Sequence, residues 1–149
     1  MERTATPLVG SAVLLMVIGG IGVLAMRSGG NDVEFCRRTF RGLAEGRPGV
    51  HRRIEWERLK ALGVDVGATY AKLPNEQERM QYRKAFIERF SEGFRRTGGK
   101  PEAFVGWRAQ GRTDDGRVVV AADYEGKSKT LLLHLSGGWN KKLEAIQWQ

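Results

Sequence analysis

The chain has 149 residues, and its 25 Lys and Arg against 17 Asp and Glu give a formal net charge of +8. A hydrophobic content of 41% and a charged content of 28% are typical of one globular domain, which excludes collagen-like, disulfide-rich and extended disordered chains. The single cysteine, Cys36, excludes an intrachain disulfide and a four-thiolate metal site.

The segment at residues 7–26 carries no charge. At a helical rise of about 1.5 Å per residue, its length matches a hydrocarbon core of roughly 30 Å. It therefore predicts a transmembrane helix, after a tail at 1–6 and before a linker at 27–31, in a single-pass protein of the cell membrane. A cleaved signal peptide is the alternative, although the apolar run exceeds the usual signal core of about 7–15 residues. Small residues on one stripe of this helix predict a docking surface for another membrane helix: Ala12, Gly19 and Gly22.

Three helices are predicted between residues 32 and 97. The first has one apolar face formed by Val33, Cys36, Phe40, Leu43 and Ala44. A shorter helical stretch follows over 54–62, and 64–73 is predicted to be a connection. Asn75 and Glu78 form a capping-box start for the longest helix, which is expected to end near Thr97.

The pattern changes to alternation over residues 103–148, which predicts four antiparallel strands. Two-residue turns are predicted at 115–116 and 126–127, and the first turn places Thr113 opposite Val118 and Trp107 opposite Tyr124. The second turn places six apolar side chains on one sheet face: Val118, Val120, Ala122, Leu131, Leu133 and Leu135. The last strand, expected over 139–148, alternates poorly, which predicts a bulge or a sheet edge.

These elements predict an α+β domain over residues 32–149, in which about three helices pack on a twisted four-stranded antiparallel sheet. The order of a first helix with Phe35, Phe40, Leu43 and Gly46, further helices, and then a meander with Trp107 in its first strand resembles the nuclear transport factor 2-like, cone-shaped domain. No early hairpin is evident between the second and third helices, which keeps a cystatin-like arrangement open. Bacterial single-pass proteins of similar layout include assembly subunits of type IV secretion systems, whose domain lies outside the cytoplasm. The resemblance implies that side, whereas the basic residues after the apolar segment favour the cytoplasm.

No motif for a nucleophile, a phosphate loop or a metal site is present, and the sequence predicts no catalytic residue, no cofactor and no metal. Enzymes with the resembled fold often place acid, histidine or tyrosine side chains inside the cone. The candidates are Asp123, Tyr124 and His134, but strand alternation places Asp123 and His134 on the face opposite the leucines. They are therefore interpreted as surface groups.

The basic excess lies in the helical half of the domain. It predicts a patch for anionic lipid or an acidic partner, formed by Arg37, Arg38, Arg41, Arg52 and Arg53. Trp139 and Trp148 are candidate anchors for a partner protein, and no nucleic-acid partner is expected.

The sequence thus predicts a non-catalytic, membrane-anchored accessory or scaffold subunit of a multi-protein membrane complex, with membrane lipid and other membrane proteins as its partners. The alternative is a tethered enzyme, or a domain that carries a small apolar ligand in the cone cavity. That alternative needs an inward polar group, for which Tyr70, Tyr82 and Tyr124 are the candidates.

Overall fold

The computed structural model describes residues 31–149. Helix α1 covers residues 31–44. The chain continues through a first 3₁₀ helix (Pro48–Arg53), β1 (Lys60–Ala61), β2 (Val64–Asp65), α2 (Val66–Ala71) and α3 (Glu76–Arg96). A second 3₁₀ helix (Pro101–Ala103) leads into β3 (Phe104–Arg112), β4 (Val118–Tyr124), β5 (Thr130–Leu135) and β6 (Leu143–Trp148).

The two long helices follow the sequence pattern closely. On α1 the side chains of Cys36, Phe40 and Leu43 are buried, as the apolar face predicts. At the start of α3 the Asn75 side chain accepts a hydrogen bond of 2.8 Å from the backbone N–H of Glu78, which satisfies one of the free donors of the first turn. The two helices contact each other, because the Ser91 hydroxyl of α3 donates to the Ala44 carbonyl of α1 at 2.9 Å.

The predicted second helix over 54–62 is wrong. Ile54 forms a parallel bridge with Leu143, and the chain then turns into β1. The predicted connection over 64–73 contains β2 and α2 instead. β1 and β2 form a tight hairpin whose two turn residues, Leu62 and Gly63, have φ values of 51° and 85°. Two positive φ angles are typical of the type I′ turn that suits a two-residue hairpin loop.

The sheet has six strands in the order β2-β1-β6-β5-β4-β3, and β1 pairs with β6 in parallel. The predicted fold class is therefore wrong in its sheet, because four antiparallel strands were expected. The bulge predicted in the last strand is confirmed, since the register shifts beside His134. β6 is not an edge strand, however, because β1 continues the sheet beyond it.

The two predicted hairpin registers have different outcomes. The β4–β5 register is confirmed, and Val120 lies opposite Leu133. The β3–β4 register is wrong, because the backbone N–H of Thr113 bonds to the carbonyl of Arg117 and encloses a three-residue loop. Gly116 takes the left-handed position in that loop with φ 86°, and two further shifts along β3 move the pairing again.

Between the helices and the inner sheet face lies a continuous core with an aromatic centre. The Phe40 ring of α1, 2% exposed, makes an edge contact with Phe104 at a centroid distance of 4.8 Å. Phe90 and Phe94 of α3 and Trp107 of β3 surround the same ring at 5.8–6.2 Å. Such edge-to-face contacts are the preferred geometry of aromatic pairs.

Within residues 31–149 no helix is both long and apolar enough to cross a bilayer. The transmembrane helix predicted at 7–26, its docking stripe of Ala12, Gly19 and Gly22, and the tail before it all lie outside the described residues. The predictions of a transmembrane, single-pass protein in the cell membrane are corrected accordingly: the described part of the chain is an α+β domain that contributes no membrane-spanning helix.

Candidate functional site: an arginine-lined groove

Four of the five arginines in the predicted basic patch line one surface groove of about 590 Å³. Arg37, Arg38 and Arg41 project from α1, and Arg53 comes from the end of the first 3₁₀ helix. Arg47 also lines this depression, which we call the arginine groove. Arg47 is not part of the predicted basic patch, although its position directly before Pro48 places it at the predicted end of the first helix.

The path of the backbone explains why these arginines meet. Cys36 and Phe40 point into the core, so the residues next to them in sequence, Arg37 and Arg41, face solvent on α1. Gly42 allows the first 3₁₀ helix to approach α1, because a Cβ atom there would lie 3.0 Å from a methyl group of Val50. Arg53 is thereby held beside the arginines of α1.

Only part of the positive charge in the groove is neutralised internally. Arg38 forms an ion pair with Glu34 at 2.8 Å. Glu45 forms ion pairs with both Arg41 at 2.8 Å and Arg47 at 2.6 Å. The hydrogen bond from Arg41 holds the pKa of the Glu45 carboxyl below its ordinary value. Three carboxylates pair with these five arginines, those of Glu34, Glu45 and Glu102, which leaves the arginine groove with a net charge of +2.

Arg37 and Arg53 form no ion pair with any described residue. The Arg53 guanidinium instead lies 5.6 Å from the centre of the Phe35 ring, a cation–π contact that orients it. Arg52, the fifth residue of the predicted patch, is exposed and does not line the groove. Guanidinium groups in this arrangement are suited to bidentate hydrogen bonds with carboxylates or phosphates.

A smaller depression of about 160 Å³ lies beside the arginine groove, and Arg37 and Arg41 line both. We call it the aromatic pocket, because its apolar lining consists of Phe40, Phe104, Trp107 and Pro101. Glu102 completes its rim, 3.9 Å from the Arg41 guanidinium. The Trp107 indole is half-buried and donates a 3.1 Å hydrogen bond to the backbone carbonyl of Phe104, which fixes its orientation.

Asp123 and His134 lie on the outer sheet face, opposite the helices, in agreement with strand alternation. Asp123 accepts hydrogen bonds from Arg108 at 2.9 and 3.2 Å, which depress the pKa of its carboxyl. His134 lines a separate outer groove of about 740 Å³ with Arg117 and the buried Glu144. Burial, together with the charge of Arg117, lowers the pKa of the imidazole. Neither predicted candidate reaches the helix-covered interior.

The two candidate tryptophan anchors differ in their surroundings. Trp139 is fully exposed in the loop between β5 and β6. Trp148 is partly exposed and stacks on Phe104 at 5.8 Å. The loop that carries Trp139 is tied to α1, because Lys141 forms an ion pair with the buried Asp32.

The three candidate tyrosines, Tyr70, Tyr82 and Tyr124, contribute few polar groups to the interior. The Tyr70 hydroxyl accepts a hydrogen bond from Arg83 at 2.7 Å, and Tyr82 and Tyr124 are partly buried at the margin of the core. Among residues 31–149 no group of three or more His, Cys, Asp or Glu side chains is arranged to hold a metal ion. No protein-family model, curated protein or solved structure matches this chain.

Proposed function

We propose that this protein is a non-catalytic accessory subunit of a multi-protein assembly, and that it binds an acidic segment of a partner protein through the arginine groove. The observation that carries the proposal is the clustering of five arginines along one depression, two of them without a carboxylate partner among the described residues.

The distribution of these charges favours a string of carboxylates over a single compact anion. Arg37 and Arg41 lie about 6 Å apart along the axis of α1, and further arginines come from the loop after it and from the first 3₁₀ helix, so the charges are spread over several elements. An exposed ion pair contributes about 0.2–1 kcal/mol. Several such contacts along an acidic segment give useful specificity and fast association, with most of the binding free energy left to apolar contacts nearby.

The packed interior supports a binding role over a ligand carrier. The Phe40 ring is enclosed by Phe90, Phe94, Phe104 and Trp107. These rings occupy the space between helices and sheet where a cone-shaped carrier would hold its ligand. Asp123 and His134 lie on the outer face of the sheet, away from that space, and Tyr124 packs at the margin of the core.

The β1–β2 hairpin also supports the resemblance to the nuclear transport factor 2-like domain, because it supplies the early hairpin that the sequence pattern lacked. We infer from this resemblance a similarity of fold and not of function. Domains of one architecture serve many functions, so the proposed role depends on the arginine groove rather than on the architecture.

The test is purification of the full chain from its native cells in a mild nonionic detergent, followed by identification of stoichiometric protein partners and cross-linking. A variant with Arg38→Glu and Arg53→Glu reverses two charges in the groove. Arg89→Glu with Arg96→Glu is the matched control, because it makes the same charge change at exposed sites on α3.

The proposal predicts a partner whose acidic segment cross-links to the arginine groove, and whose retention falls about tenfold or more in the groove variant, since two lost attractions become repulsions. The control variant should retain the partner. A monomer that carries a bound small molecule, or a partner that both variants lose equally, would contradict the proposal.

A further inference from the structure

The aromatic pocket and the arginine groove form one continuous surface, because Arg37 and Arg41 stand on the ridge between them. On one side of this ridge the lining is dominated by guanidinium groups. On the other side the charged groups of Arg37, Arg41 and Glu102 share the lining with Pro101 and the rings of Phe40, Phe104 and Trp107, which form its apolar part. A ligand that spans the ridge therefore contacts the positive charges of the groove on one side and the aromatic rings of the pocket on the other.

We infer that the aromatic pocket receives one large apolar side chain of the acidic partner segment, an inference that rests on the function proposed above. The partner motif is then a bulky apolar residue, such as leucine, flanked by glutamate or aspartate residues. The acidic residues pair with the arginines while the apolar residue enters the pocket.

The size of the pocket selects this occupant. Small-molecule sites usually enclose about 300–1,000 Å³. The aromatic pocket, at about 160 Å³, is smaller than that range. It has room for one amino-acid side chain, and the arginines on its rim favour acidic neighbours for that side chain.

Such an arrangement is also the usual anatomy of a strong protein–protein contact. A single anchor residue in a desolvated pocket, surrounded by charged contacts, carries much of the binding free energy. Trp107 forms one wall of the pocket that would receive the anchor residue, and the hydrogen bond to the Phe104 carbonyl fixes its orientation. The pocket is therefore preorganised, and little ordering is needed on binding.

The experiment uses two labelled synthetic peptides and the full chain in a mild nonionic detergent, with binding measured by fluorescence anisotropy at low ionic strength. One peptide consists of glutamate and serine with a single central leucine. In the other, serine replaces that leucine. The quantity of interest is the ratio of the two dissociation constants.

The leucine peptide should bind the unmodified protein about tenfold more tightly than the serine peptide, as expected when one apolar side chain fills an apolar pocket. Trp107→Ala removes one wall of the pocket and should bring the ratio close to one. Glu102→Phe should also bring it close to one, because the new ring covers the pocket from its rim. Glu92→Phe is its control, because it makes the same change at an exposed position of α3 outside both depressions, and it should keep the ratio. Glu102→Phe keeps the test decisive if Trp107→Ala impairs folding.

The variant Arg38→Glu with Arg53→Glu separates the two claims, because these arginines line the groove and not the pocket. It should weaken both peptides while preserving their ratio. If binding depends on the groove but the ratio is near one in the unmodified protein, the inference about the pocket is wrong and the proposed function stands. If neither peptide binds in a groove-dependent way, both fail.

Discussion

Replacing Phe40 by alanine tests whether the space between the helices and the sheet is filled. The Phe40 side chain is 2% exposed and contacts four aromatic rings from α3 and β3. Its removal leaves a cavity that rigid neighbours cannot fill, because these rings belong to two different elements.

The expected loss can be worked from the contacts. Truncation of a buried phenylalanine to alanine costs about 3–5 kcal/mol, from lost transfer free energy and the cavity that remains. Four ring contacts place Phe40→Ala in the upper part of this range. At about 4 °C per kcal/mol for a domain of this size, a loss of about 4–5 kcal/mol should lower the melting temperature by about 16–20 °C.

Thermal and urea unfolding, followed by near-ultraviolet circular dichroism, measure this loss. Phe40→Leu is the matched control and should cost only about 1–2 kcal/mol, because most of the buried volume remains. A loss below about 1 kcal/mol for Phe40→Ala would contradict a filled interior. It would mean that the rings leave open space, as a ligand-carrying cone requires.

Three further predictions concern other positions. Gly67→Ala should destabilise the protein by about 2 kcal/mol or more in urea unfolding, since a Cβ atom there would clash with the Glu57 carbonyl oxygen. Its control, Gly93→Ala, adds a Cβ atom in open space on α3 and should stabilise the protein by about 0.5–1 kcal/mol. Cys36 is buried and its thiol pKa is raised by burial, so a maleimide should label it only after urea unfolds the chain, and rapid labelling of the native protein would refute its placement. Because the pKa of His134 is lowered in the folded protein, the unfolded chain binds the proton more readily. The free energy of unfolding should therefore fall as the pH drops from about 7 to about 5. An equally steep fall in the His134→Gln variant would show that this group does not contribute.

The sequence was informative where local signals are strong. The capping residue Asn75 located the start of α3, and the periodicity of Cys36, Phe40 and Leu43 identified the buried face of α1. The β4–β5 register followed from alternation, because a shift by one residue would have moved every leucine to the outer face.

The sequence misled where pairing depends on distant residues. β1 and β2 have two residues each, too few to show a period, and β1 is held by its parallel pairing with β6. The local signal for their hairpin is Gly63, which directly follows the helical stretch predicted over 54–62 and in the structure forms a turn with Leu62. The β3–β4 register failed because bulges in β3 leave no mark in the alternation.

The candidate site was predictable in its composition and not in its shape. Arg37, Arg38 and Arg41 could be placed on one side of a helix from their spacing. Arg53 lines the groove with them and Arg52 does not. This difference depends on the first 3₁₀ helix, whose i to i+3 geometry the sequence pattern does not predict. The aromatic pocket requires β3 to lie beside α1, which only the tertiary structure shows.

Amide hydrogen exchange of the full chain, measured alone and in complex with the stoichiometric partner that purification identifies, tests directly where the partner binds. Protection on binding should concentrate at residues 37–53 and 101–107, which carry the arginine groove and the aromatic pocket. Protection confined to the outer sheet face, around 117–119, 134 and 144–147, with no change along α1, would contradict the assignment of the binding surface.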